Sequence, residues 1–158
     1  MTRSHDSASQ RLAELGIELP AVAAPLASYV PAIRTGQYVY TSGQLPVIDG
    51  ELPATGKVGA EVLPEDAAHY ARVCALNALA AVHALVGIDS VVRVVKVVGF
   101  VASSPDFTGQ PAVVNGASEL LHEVFGEAGA HARSAVGVAA LPKDAPVEVE
   151  LIVEVRQS

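Results

Sequence analysis

The segment Ser90 to Ala102 reads Ser-Val-Val-Arg-Val-Val-Lys-Val-Val-Gly-Phe-Val-Ala, a β-branched run that is apolar at odd and even positions alike. Side chains alternate between the two faces of a strand, so a run of this kind predicts a strand with both faces covered. One face can meet helices, and the other calls for a partner subunit. The isolated chain is therefore expected to be an oligomer.

The flanking segments supply the other layer. Pro64-Glu65-Asp66 opens a helix, with proline suited to the first turn and two acids set against the positive end of the helix dipole. Ala67, Ala71, Cys74, Ala78, Ala81 and Leu85 then recur at steps of three and four until Gly87, the pattern of one buried helical face. Pro111–Phe125 reads as a second helix, ended by Gly126. Ahead of these, Ile33 to Ser42 reads as an opening hairpin turning at Thr35-Gly36, and Ile48–Lys57 as a loop rich in turn residues. At the far end Arg133–Leu141 and Val147–Val155 are both extended. In the latter, Val147, Val149, Leu151, Val153 and Val155 alternate with Glu148, Glu150, Ile152 and Glu154. Joined by Pro142-Lys143-Asp144-Ala145-Pro146, the two read as one strand pair, in which Arg133 and Glu148 would stand roughly 23 Å apart. The expected order is ββαβαββ, an α+β fold with one sheet covered by two helices on one face. Residues 1–24 are read as a peripheral arm with a short helix ending at Gly16, and residues 25–158 as a single domain.

The chain has 158 residues, enough for one core. Its net charge of −7 is the wrong sign for holding a polyphosphate by bulk attraction, and aromatics for base stacking are few, so nucleic acid is not the expected partner. No stretch approaches the ~18 uninterrupted apolar residues of a membrane helix, so no membrane partner is expected. Cys74, the single cysteine, leaves no intramolecular disulfide and fits a reducing compartment; the cytoplasm is the expected location. Set in the apolar helical stripe, it reads as a packed thiol rather than a nucleophile.

No metal site or cofactor is expected. His5, His69, His83, His122 and His131 show no ligand spacing with one another or with cysteine, and no glycine-rich nucleotide loop is present. Arg133 is the residue that stands out. It enters a strand in a chain poor in cations, and a guanidinium offers two parallel donors matched to a carboxylate. The plain alternative is an ordinary surface arginine.

Two segments resemble the RidA/YjgF family, also known as L-PSP endoribonuclease-like: Tyr40-Thr41-Ser42-Gly43-Gln44-Leu45-Pro46-Val47, and Ala132-Arg133-Ser134-Ala135-Val136 through Leu141-Pro142-Lys143-Asp144 to Val147-Glu148-Val149-Glu150. Asp106-Phe107 and Asn115 fall between them in the family's order, so the likeness spans roughly Pro25 to Val155. It implies a chorismate-mutase-like fold assembled as a homotrimer, with sites in clefts between subunits. It also implies hydrolytic deamination of reactive 2-imino or enamine acids to 2-oxo acids and ammonia. On that likeness Arg133 grips the substrate carboxylate and Glu148 stands near the hydrolytic water. Tyr29, Ser42, Gly43, Asn115, Ala135 and Pro142 line the pocket. Ala135 stands where cysteine is common, and Ala27-Ser28-Tyr29 replaces Gly-Pro-Tyr, marking a divergent subgroup. Two other readings fit the same cleft: a non-catalytic binder of small carboxylates, and, against the charge, an endoribonuclease.

Overall fold

The computed structural model of the chain describes residues 6–24 and 27–157. Its elements are α1 (Ala8–Glu14), β1 (Ala32–Thr35), β2 (Tyr38–Thr41), α2 (Pro64–Val86), β3 (Val91–Ala102), α3 (Gln110–Phe125), β4 (Ala132–Val138) and β5 (Val147–Val155). After α1 the order is the expected ββαβαββ. The strands form one mixed sheet in the order β1-β2-β5-β3-β4, antiparallel except for β3 and β4.

The strand pair expected at the C-terminal end does not form. β4 lies parallel to β3, joined to it through α3, and β5 pairs antiparallel with the other edge of β3. A strand–helix–strand crossover returns the chain in parallel, which leaves β3 between the two strands that the sequence makes look like neighbours. The link between β4 and β5 straddles the end of β3: Ser103 N–H donates to Val138 O and Ala102 N–H to Pro146 O, both at 3.0 Å.

β5 follows its alternation strictly. Val147, Val149, Leu151, Val153 and Val155 are buried with Val97 and Val101 of β3 on the face packed by α2 and α3. α2 has the length and composition of a membrane-crossing helix, but its buried residues, Leu79 and Val82 among them, belong to this core; Leu85, in its last turn, is exposed. The sheet's second face carries Ile33, Tyr38, Tyr40 and Val136, each more than 40% exposed, beside Val98 and Phe100. Only one face of β3 is thus covered within the chain.

The arm is docked rather than loose. Ser7 caps α1, Leu12 is buried, and the Ser9 N–H and hydroxyl donate to the Asp89 carboxylate at 2.9 and 2.6 Å. Pro25, where the domain was expected to begin, lies outside the described residues.

α2 and α3 approach closely because Gly116 has no side chain: a Cβ there would lie 1.8 Å from the Ala68 carbonyl oxygen. Backbone cannot yield as a flexible side chain can, so Gly116→Ala must separate the helices. We expect a loss of about 2 kcal/mol or more, read as a fall in thermal midpoint of roughly 4–8 °C by circular dichroism.

Candidate functional site

On the open face of the sheet, a cavity of about 270 Å³ is lined by Tyr29, Gly43, Gln44, Pro142, Lys143 and Glu148, with small apolar residues around them. The chain builds it by interrupting one strand. β2 pairs with β5 as far as Tyr40 opposite Ile152, after which the Thr41 side chain takes the Leu151 N–H at 3.0 Å. Ser42-Gly43 then swings out, and Gln44 rejoins β5 by two backbone bonds with Val149, at 2.8 and 3.0 Å. Ser42 points its hydroxyl back to Val30 O at 2.5 Å, so it supports the loop and is not a lining residue. Gly43 sits against the carboxyl: a Cβ there would come within 2.9 Å of Glu148 Cδ and Oε1.

Two of the cavity's supports were not singled out as site residues from the sequence. Buried Asn77 of α2 donates to the carbonyls of Leu45 and Val47 at 3.0 Å each, pinning the wall behind Gln44. Lys143, next to Pro142, has a left-handed φ of 57°, unusual for a side-chain-bearing residue and held by the turn over the end of β3. Burial, and then the neighbouring charge of Glu150, raise Glu148 above the usual carboxylate range. Cys74 is buried and its thiol is pushed well up, chiefly by desolvation, as a packed cysteine should be.

Arg133 lies elsewhere. It is opposite Val97 on the helix-covered face of β4, where its Nη1 donates to Asn115 Oδ1 at 2.8 Å and to Ser118 Oγ at 3.2 Å, and its Nη2 to Pro111 O at 3.4 Å. These bonds leave the Nε–H and one Nη2 hydrogen without an acceptor among the described residues, two donors on adjacent nitrogens such as a carboxylate spans. Ala135 is two residues on, beside the same face.

The expected site residues therefore fall into two groups. Tyr29, Gly43, Pro142 and Glu148 gather at the cavity, with Ser42 behind them. Arg133 and Asn115 gather on α3 and β4, with Ala135 alongside. Glu148 lies opposite Phe100, three residues along β3 from the partner of Arg133 and one strand further over. Their backbones are about 14 Å apart rather than the 23 Å expected of a hairpin, and an odd offset along β3 sends the two side chains to opposite faces.

Fold and site together define a small α+β chain that presents a guanidinium fork on one face of its sheet and a half-buried carboxylate on the other. The family model described as Endoribonuclease L-PSP matches residues 20–155, and the chain belongs to that family, the RidA/YjgF group. It is 49% identical over 145 residues to Protein TCP17 of Trypanosoma cruzi, covering 90% of this chain and 91% of that one. It is 39% identical over 131 residues to the 2-iminobutanoate/2-iminopropanoate deaminase of Escherichia coli K12, covering 82% and 88%. The crystal structure of Atu1372 from Agrobacterium tumefaciens, a protein of unknown function, superposes with a TM-score of 0.87 at 46% identity, covering 94% of this chain and 92% of that one.

Gly43→Ala should push the Glu148 carboxyl out of its seat. The displacement is local, so Gly43→Ala should keep a native circular dichroism spectrum, and imine hydrolysis assayed as for the deaminase relative should fall at least tenfold. Glu148 also marks the pH dependence of stability. Its folded pKa is raised, so the native state holds a proton that the unfolded chain has already lost, and stability falls as pH rises through that window. In Glu148→Gln that loss is absent. The denaturation midpoint of the variant should pull ahead of wild type as pH rises above the usual carboxylate range, measured at one protein concentration.

Proposed function

We propose that this chain hydrolyses 2-imino and enamine acids to 2-oxo acids and ammonia in clefts between copies of itself, with Arg133 of one copy and Glu148 of the next serving one substrate. The observation that carries this reading is the division of the site: two unspent guanidinium donors on one face, and a carboxylate of raised pKa beside a small cavity on the other. Each half lacks what the other has. The relative named as a 2-iminobutanoate/2-iminopropanoate deaminase supports the substrate class.

The assembly has a physical motive. On the open sheet face Ile33, Tyr38 and Tyr40 on one side and Val136 on the other flank the row Glu148, Glu150 and Glu154 of β5, leaving apolar side chains that water would otherwise meet, and a second copy laid against them brings a neighbour's edge strand toward Glu148. Three copies close the arrangement as the family resemblance implies.

Arg133, steadied by Asn115, spans the substrate carboxylate, and the loop at Gly43 with Tyr29, Pro142 and the nearby Ala135 encloses the rest. The imine carbon is already electrophilic, so a held substrate and a placed water suffice. Glu148 takes a proton from that water as its oxygen bonds to the carbon, and returns it to the nitrogen, giving a carbinolamine. It then removes the hydroxyl proton and delivers it to the amine as the C–N bond breaks, leaving a 2-oxo acid and ammonia. A carboxyl whose pKa burial raises above the usual carboxylate range suits both transfers. The net charge of −7 is adverse to phosphodiester cleavage.

The test generates 2-iminopropanoate in situ and follows its decay. Wild type should accelerate it tenfold or more, and Arg133→Lys should lose most of that, because an ammonium cannot span a carboxylate as the fork does. Glu148→Gln should bind the 2-oxo acid yet lose about a hundredfold in rate. Mixing inactive Arg133→Ala with inactive Glu148→Gln should restore about a quarter of the wild-type activity after random subunit exchange, since half of the clefts receive each intact residue. Binding without turnover in the wild type would make this a carboxylate-binding protein instead. No recovery after verified exchange would refute the shared cleft.

A further inference from the structure

The bonds that steady Arg133 continue past Ser118 to a histidine to which no part of the proposed reaction gives a role. Ser118, buried on α3, places its Oγ 2.8 Å from His131 Nε2, and His131 Nδ1 lies 2.6 Å from the Gly129 carbonyl oxygen. A carbonyl only accepts, so Nδ1 carries a proton and donates to Gly129. In the neutral ring Nε2 is then an acceptor, so the Ser118 hydroxyl donates to it. That spends the one hydroxyl hydrogen and leaves the Ser118 oxygen as an acceptor, aimed at Arg133 Nη1 at 3.2 Å. With the ring neutral, the direction of every bond follows from Gly129.

We propose that His131 is a positioning residue for the substrate carboxylate: it orients the Ser118 hydroxyl, which fixes the Arg133 fork with its Nε–H and one Nη2 hydrogen free. The relay links three elements, since Gly129 ends the turn after α3, Ser118 lies within α3, and Arg133 lies in the first residues of β4. His131 and Arg133 are two residues apart on an extended segment, the spacing that puts both side chains on one face. The ring is kept neutral mainly by its burial, with the nearby His122 and Arg133 charges in the same sense and the Gly129 bond opposing. The His122 ring is packed against it at 5.7 Å between centroids. Without the relay, Ser118 can turn its hydrogen toward Arg133, and the guanidinium loses one of its two strong anchors.

This inference rests on the proposed role of Arg133, and the test separates the two. The Kd of 2-oxobutanoate is measured by calorimetry, and KM and kcat on 2-iminobutanoate, for wild type, Arg133→Ala, Ser118→Ala, His131→Phe, His131→Gln and the double variant Ser118→Ala/His131→Phe. Arg133→Ala should lose binding at least a hundredfold. Ser118→Ala and His131→Phe should each weaken it about tenfold, the worth of one good hydrogen bond, raising KM while kcat stays within about twofold. The double variant should be no worse than either single one, because both cut the same chain. His131→Gln, whose side-chain oxygen can accept the Ser118 hydroxyl, should recover binding to within about threefold of wild type. Thermal midpoints should not follow this order, as they would if His131 only held the fold. Should His131→Phe fail to fold, Ser118→Ala and His131→Gln decide alone: unchanged affinity in Ser118→Ala, or a full loss in His131→Gln, overturns the relay. If Arg133→Ala loses the ligand while His131→Phe binds as wild type, or if the double variant shows the product of the single losses, the relay is wrong and the anchoring role of Arg133 stands. If Arg133→Ala binds as wild type, the anchoring role falls, and the relay with it.

Discussion

A sheet has two faces, and here both main helices lie on one of them. Everything about the site follows from that asymmetry. On the covered face, α3 stands close enough to β4 to hold a guanidinium by its Nη1, supplying Asn115 and Ser118 as acceptors. On the open face no α-helix lies among the described residues, and the loop that follows β2 does the enclosing, folding Gly43 against Glu148. Strand periodicity then forbids the two groups from meeting within a chain, because an odd offset along β3 separates them. A site that needs both is a site between copies.

The enclosing loop depends on a small set of unbroken hydrogen bonds. Thr41, Gln44 and Asn77 each satisfy buried backbone groups that the interruption of β2 would strand, and among the described residues no buried side-chain polar atom lacks a partner. Loops of this kind keep their shape only when the backbone they disturb is paired again. The result is a fixed wall beside a carboxyl group whose burial raises its affinity for a proton, the property that acid–base work at neutral pH draws on.

Much of this is written locally. The two helices with their Pro-led starts and glycine ends, the strict alternation of Val147–Val155 and the bare apolar run of Ser90–Ala102 each state their own secondary structure, and together they imply one sheet with one covered face. What the chain does not state locally is which strand lies beside which. Alternation in β5 says that one of its faces is buried, but a short proline-bounded link suits a hairpin as well as a crossing over the end of β3, and only the parallel return through α3 decides between them. The supports were illegible for the same reason. Asn77 lies in an apolar helical stretch with partners some thirty residues away, and Lys143 takes its backbone from a turn whose shape β3 imposes. His131 had a readable sign, its two-residue spacing from Arg133, but its link to that residue runs through Ser118 on another element.

The central claim is that one ligand bridges the two faces of two different chains. A crystal structure with 2-oxobutanoate bound tests it most directly. The account predicts the carboxylate on Arg133 Nε and Nη2 of one copy, with the oxo carbon within about 4 Å of the Glu148 carboxyl of an adjacent copy or of a water that it holds. A ligand held by Arg133 with no Glu148 from a neighbour near its oxo carbon, or one seated wholly in the cavity of a single chain without Arg133, would contradict it.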